Sequence, residues 1–196
     1  MEIGPVTLTG SLVQLEPLSL DHLADLQEAS ADGDVWKIWY TTVPTPEGME
    51  AEIKRRLALL DAGLMVPFAT RRLHDNKVIG MTSLADILRE APRLEIGYTW
   101  NAASAQRTGT NIESKLLLLT HCFEELECIS VNFKTHKFNM QSRAAIEAIG
   151  ASLDGILRND RRMPDGSLRD TAQYSIVRDE WPAVQNLLNT RLEKYL

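Results

Sequence analysis

The sequence predicts an α+β domain over residues 1–196, with a mixed, mostly antiparallel sheet and helices on both faces. Three observations predict it. First, the strand-like runs "MVPFATRRL", "KVIGMTSLADI" and "RLEIGYTW" follow one another closely, as in an antiparallel meander. Second, two segments of helical periodicity precede them. Third, helix and strand alternate after them, beginning with a nearly continuous apolar helix over 110–126.

In chain order, "VTLTG" and "LVQLEPL" are the first strands, the second alternating apolar and polar residues through Leu12, Gln14 and Glu16. In "LSLDHLADLQEAS", Leu20, Leu23, Ala24 and Leu26 share a helical face, and Ser19 is available as its N-cap. An irregular aromatic segment runs from Val35 to Pro46. A second helix then starts near Thr45–Pro46 and stops at Gly63. The meander follows, its first two strands joined by "HDN". After helix 110–126 come strand "ISVNFKT", helix "NMQSRAAIEAIG", strands "SLDGILRND" and "LRDTAQYSIV", and a last helix from Asp179.

Composition narrows the function. The chain has 44% hydrophobic and 24% charged residues, ordinary for a water-soluble domain. No apolar run reaches the ~20 residues of a membrane span. The N-terminus "MEIGPVTLTG" carries an acid where a signal peptide carries bases, so a cytoplasmic location is expected. Cys122 and Cys128 read as buried, reduced thiols, and no Cys/His spacing suggests a metal site. A net charge of −6 argues against nucleic acid as partner; "RNDRR" reads as a solvated loop.

The stretch "TWNAASAQRTGTN" runs from strand character into the apolar helix, and no acid occurs between Asn101 and Ile112. A helix start offers unpaired N–H groups and partial positive charge, which together favour an anion such as phosphate. Gly109 permits a close backbone approach or a positive φ, though a glycine that merely turns the chain has the same spelling. The patterns GxxxxGK[ST] and GxGxxG are both absent, so the common nucleotide loops are excluded.

The segment "QRTGTN" resembles the Q/R-x-x-G-x-G/A loop of the GNAT superfamily, the acyl-CoA-dependent N-acyltransferases. The order of elements resembles that family over nearly the whole chain. It is most similar to the branch of the ribosomal-protein N-terminal (RimJ/RimL-type) acetyltransferases, through "LEIGYTW", "KTHKFNMQSRAAIEAIGA" and "GILRND…DGSLRDTAQYSIVRDEW". The resemblance implies acetyl-CoA as cofactor, with its pyrophosphate on the backbone of Gln106, Arg107, Thr108, Gly109, Thr110 and Asn111. It further implies that Gly97, Tyr98, Thr99 and Trp100 run beside the pantetheine, where a bulge exposes an N–H for the oxyanion. Asn139 is implied to touch the pantetheine and Ser142 to protonate the departing thiolate; a plain N-cap, which its residue type favours, is the alternative for Asn139. Trp36, Trp39 and Tyr40 lie where the family builds its acceptor wall, although aromatics in a loop after the first helix more often belong to the core. Asn111 departs from the usual Gly or Ala. No tyrosine stands near Ser142, where many relatives use one; the nearest positions read His136 and Phe138.

Acyl transfer needs a neutral amine, a stabilised oxyanion and a proton for the leaving group. An α-amine of pKa ~7.7–8 is partly neutral at pH 7, whereas lysine at ~10.4 is almost wholly charged. Glu95 is the candidate base, because partial burial would raise its pKa; an ordinary strand carboxylate is the bland alternative, and Asp86 and Glu90 are rivals. His121 and His136 receive no catalytic role, and Trp100 and Trp181 also read as packing residues. The expected activity is acetyl transfer to a primary amine, a protein or peptide N-terminus or a small amine. The alternative is a catalytically silent CoA-binding or partner-binding domain. A homodimer accords with the branch, although the sequence shows no interface.

Overall fold

Gly10 and Ser11 turn β1 (Leu8–Thr9) back into β2 (Val13–Pro17), and the two pair antiparallel. Ser19 caps the next element: its hydroxyl accepts from the Asp21 N–H, and its own N–H donates to His22 Nδ1 at 3.0 Å. The capped element is a 3₁₀ turn, Leu20–His22, which leads into α1 (Leu23–Ala31). In the following turn Gly33 and Asp34 take φ of 76° and 49°, ending the helical path. The second helix, α2 (Met49–Asp61), begins later than Thr45–Pro46, because Thr45 Oγ1 first accepts the Gly48 N–H at 3.1 Å in a turn. Gly63 does stop it, with φ at 68°.

The meander consists of β3 (Met65–Arg72), β4 (Lys77–Leu88) and β5 (Arg93–Asn101), all antiparallel. The helix expected over 110–126 is α3 (Thr110–Thr120), closed by a π-turn over His121–Glu125. Then come β6 (Ser130–His136), α4 (Met140–Ala148), β7 (Ser152–Arg162), β8 (Leu168–Val177) and α5 (Trp181–Leu192). Asp179 lies in a 3₁₀ turn ahead of α5. The structure, a computed structural model, describes residues 1–163 and 165–196.

Among the described residues the strands form one sheet in the order β1-β2-β3-β4-β5-β6-β8-β7. Its two faces bury different sets, as the two-residue period of a strand requires. Phe68 and Leu84 face α3 and α5, packing with Leu118, Leu119 and Leu188. Ala69 and Met81 face α1 and α2, packing with Leu26, Met49 and Ile53. The helices thus cover both faces, as expected. A buried carboxylate ties α3 to the opening hairpin: Glu113 accepts the N–H groups of Ser11, Leu12 and Val13, each at 2.7 Å. Among the described residues, no helix is long and apolar enough to cross a membrane.

Candidate active site

β5 and β6 form a parallel pair only from Arg93–Glu95 to Ser130–Asn132. Beyond that point no ladder joins them, and a cleft of about 530 Å³ opens between Ile96–Asn101 and Phe133–His136. The divergence has a local cause. Ser83 faces Gly97 and Met81 faces Trp100, so Tyr98 and Thr99 stand opposite the single residue Thr82. This is a β-bulge, and Tyr98 sits in it with φ of 54°.

A left-handed φ costs a residue with a Cβ about 1–2 kcal/mol. Here α2 holds it in place. Arg56, 2% exposed, donates from one terminal nitrogen to the Tyr98 carbonyl and from the other to Ser83 Oγ, both at 3.1 Å. Its Nε donates to Glu52 at 2.7 Å. Gly97 adjoins the bulge, opposite Ser83, and a Cβ there would press on the carboxylate of Glu95. Glu95 therefore lies over Gly97, and the strain of the bulge falls on Tyr98.

Glu95 is 7% exposed and lines the cleft. Burial raises its pKa; Lys134, 3.1 Å away, opposes the shift, and Asp86 reinforces it. Lys134 also pairs with Asp86, so one ammonium sits between two carboxylates. Glu90 lies in the exposed β4–β5 turn, outside the cleft.

The loop before α3 shows the features of an anion seat. Arg107 and Gly109 have φ of 63° and 82°. Thr108 and Thr110 both donate their hydroxyls to the Ala105 carbonyl, at 2.6 and 3.0 Å, and so fold the turn on itself. Among the described residues no acceptor meets the backbone N–H groups from Arg107 to Ile112; the Glu113 N–H is the first to find one, on Gly109. Gln106, Arg107 and Asn111 line the cleft, whereas Thr108 and Thr110 border a separate recess with Ser11 and Arg72. Gly109 carries a second constraint, since a Cβ would stand 2.6 Å from Cγ of Tyr195.

At the start of α4, Asn139 Oδ1 accepts the Ser142 N–H at 3.0 Å, so Asn139 is an N-cap. Both residues also line the cleft, and the Ser142 hydroxyl makes no hydrogen bond among the described residues. Of the aromatic segment, Tyr40 lines the cleft. Trp39 is 61% exposed and packs edge-on against Tyr40 and His136, while Trp36 lies outside the lining. Trp100 belongs to the α1/α2 core, with its indole nitrogen unpartnered among the described residues, and Trp181 stacks on Phe123.

Arg56, Lys115, Lys134 and Arg169 escaped the sequence reading; His136, given no role, and Arg161 also line the cleft, the latter because "RNDRR" closes strand β7 instead of forming a solvated loop. Against these basic groups and Arg107, Glu95 is the one carboxylate in the lining among the described residues, in a chain of net charge −6. Lys115, 7% exposed, donates to Thr99 Oγ1 at 3.0 Å, and burial lowers its pKa to about 7. A signal for Lys134 existed. In "NFKTH" it shares strand parity with Asn132, which faces Glu95 across the parallel pair.

Comparison with known proteins agrees with this geometry. A family model described as an acetyltransferase (GNAT) domain matches residues 13–152. The candidate ribosomal N-acetyltransferase YdaF of Bacillus subtilis (strain 168) is 34% identical over 109 residues. That match spans 56% of this chain and 58% of the relative, a little over half of its length. A crystal structure of a candidate acetyltransferase from T. thermophilus is 35% identical, with a TM-score of 0.86, covering 98% of this chain and 100% of that one. RimJ of Mycobacterium smegmatis, solved with CoA-disulfide, shares the fold at 22% identity and a TM-score of 0.75, covering 96% and 93%.

Proposed function

The chain belongs to the acetyltransferase (GNAT) domain family, and from that premise we propose that it acetylates a primary amine, a protein or peptide N-terminus or a small amine. One observation carries the reading: free loop N–H groups and cationic side chains meet at one end of a cleft whose wall holds a buried carboxylate. Acetyl-CoA, the cofactor of this family, supplies an activated thioester when bound. The free N–H groups from Arg107 to Ile112, with Arg107 and Lys115, fit its phosphates. The bulge at Tyr98 keeps β5 from pairing with β6 and so leaves the gap a pantetheine chain needs.

Glu95 takes the proton of the incoming amine. Its raised pKa makes it a stronger base than an exposed carboxylate, and Lys134 opposes that rise by favouring the ionised form. With acetyl-CoA bound, backbone N–H groups at the bulge would face the thioester carbonyl, and the Ser142 hydroxyl would pass a proton to the leaving thiolate and regain one from water in the cleft. Tyr40, with Trp39 behind it, walls the acceptor side.

The same proposal takes the enzyme to be a single domain working in the cytoplasm. The exposed edge strand β7, with Leu153, Ile156 and Leu157 open to solvent, supports self-association, which sedimentation would measure. The principal test is release of free CoA from acetyl-CoA across N-terminal peptides, polyamines, aminoglycosides and amino acids. Turnover on one class, lost in Glu95→Gln while acetyl-CoA still raises the melting temperature, is the expected result. Thermal stabilisation with no CoA release on any acceptor would replace the enzyme with a silent CoA-binding domain.

A further inference from the structure

Arg56 and Arg169 are both buried arginines on the cleft wall, and their surroundings differ. All three side-chain nitrogens of Arg56 are matched, by Glu52, Ser83 and Tyr98. Arg169, 9% exposed, uses only Nε, which donates to Thr171 Oγ1 at 2.9 Å. Thr171 in turn donates to Asp160, and Asp160 pairs with Arg161 at 3.2 Å. Among the described residues no carboxylate forms an ion pair with Arg169, so both terminal nitrogens are left over. Neither terminal nitrogen is sealed from solvent, so both present unpaired donors to the cleft, where an anion could take them up.

The neighbours sharpen the imbalance. Arg161 faces Arg169 directly across the β7–β8 ladder. Like charges in that position repel unless an anion lies between them. Both arginines line the cleft, and Arg169 feels the repulsion of Arg161 and the opposing charges of Asp160 and Glu95 without forming an ion pair with either carboxylate. His136 adds a donor. Its Nδ1 accepts the Phe138 N–H at 3.1 Å, which leaves the ring proton of the neutral tautomer on Nε2. The ring sits beside Tyr40 and Trp39 on the acceptor wall.

We infer that the acceptor carries a carboxylate close to its amine, and that the forked guanidinium of Arg169, with Arg161 opposite, receives it. The inference rests on the acetyl-transfer reading above and gives its substrate class: an amine whose acid group lies a few bonds away. A planar two-pronged donor suits a carboxylate better than a single ammonium would. Two sources share that chemistry, a peptide N-terminus followed by Asp or Glu and a free amino acid.

The test uses matched acceptors in the CoA-release assay. Peptides with Asp or Glu at their second and third positions are compared with the Asn or Gln versions, and free amino acids with their carboxamides. The wild-type ratio of kcat/KM, acid over amide, is expected to be about 10- to 100-fold, the range of a charge-assisted contact. Whichever pair shows it identifies the source. Arg169→Gln is expected to bring the ratio toward one, and Arg169→Lys to restore part of it. The ratio is internal to each variant, so partial misfolding does not mimic the effect. A wild-type ratio near one, or a ratio intact in Arg169→Gln, overturns the inference while leaving acetyl transfer standing. If no acceptor turns over, calorimetry on the CoA-bound protein decides separately. Binding of the acidic peptide but not its amide, lost in Arg169→Gln, supports the site, and equal or no binding overturns it. A fall in CoA affinity as large as that of Arg107→Gln assigns Arg169 to the cofactor instead and also overturns it.

Discussion

Replacing Arg56 with methionine tests whether α2 holds the cleft open. Methionine keeps much of the aliphatic stem and removes the guanidinium. Three hydrogen bonds are lost, to Glu52, Ser83 Oγ and the Tyr98 carbonyl. Glu52 retains both contacts from Arg55, at 2.7 and 2.9 Å, so no carboxylate is orphaned. The penalty therefore comes from two acceptors, one on the fully buried Ser83 and one on the strained bulge. At about 1–3 kcal/mol for each unmet buried group, Arg56→Met should lose about 2–6 kcal/mol. For a domain of this length that is a fall in Tm of about 4–24 °C. Released from Arg56, Tyr98 can leave its φ of 54°, and β5 can close toward β6. Well below the new Tm, kcat/KM for acetyl-CoA should then drop by about tenfold or more, because small displacements are costly to catalysis. Urea titration and the CoA-release assay measure the two effects. A variant within about 1 kcal/mol of wild type, with unchanged kcat/KM, would refute the brace.

Three shorter predictions concern the charges and the loop. Lys134→Met removes the cation that opposes Glu95's raised pKa, so the acid limb of the kcat/KM profile should move to higher pH; an unmoved limb excludes Glu95 as the titrating base. Asp170, paired with Lys137 and Arg158, has its pKa lowered to about 2. The native state thus binds that proton less readily than the unfolded chain, and the stability it confers is present above pH ~4 and lost as pH falls through about 2. Asp170→Asn should accordingly melt lower than wild type at pH 7, with the gap narrowing in acid; parallel curves at all pH values would contradict this. Gly109→Ala places a Cβ at φ 82° and against the Tyr195 ring, so both Tm and the Kd for CoA should worsen, and Tyr195→Ala should restore only part of the loss. An alanine variant with normal CoA affinity, measured by calorimetry, would contradict a geometric role for this glycine.

What the sequence revealed followed the reach of its periodicities. The meander, the apolar α3 and the Asn139 cap are local, so alternation, hydrophobicity and residue type were enough to find them. The bulge lies in the Gly97–Trp100 stretch that the resemblance pointed to. That Tyr98 takes the positive φ, while Gly97 lies under the Glu95 side chain, depends on a contact no local pattern encodes. Arg56 left a trace, since it continues the buried stripe of Met49 and Ile53 on α2 at helical spacing. Arg169 left none. Its isolation depends on the β7–β8 register and on which carboxylates fail to reach it, and both are settled only in three dimensions.

The charge distribution explains how an acidic chain can receive an anionic cofactor. Net charge is −6, yet the cleft lining is strongly basic, so the remaining surface is more acidic than the total suggests. A uniform charge would have repelled the cofactor; a basic cleft in an acidic body focuses attraction on one place. The same separation constrains catalysis. In the proposed mechanism Glu95 has to act as a base among cations that would otherwise depress its pKa, and burial over Gly97 supplies the opposing shift. Basicity at Glu95 is therefore a balance between desolvation and Lys134. The balance is set where β5 and β6 are still paired, and the cleft opens immediately beyond it, where the bulge drives them apart. Position along a single strand thus separates the proposed base from the gap proposed to admit the cofactor.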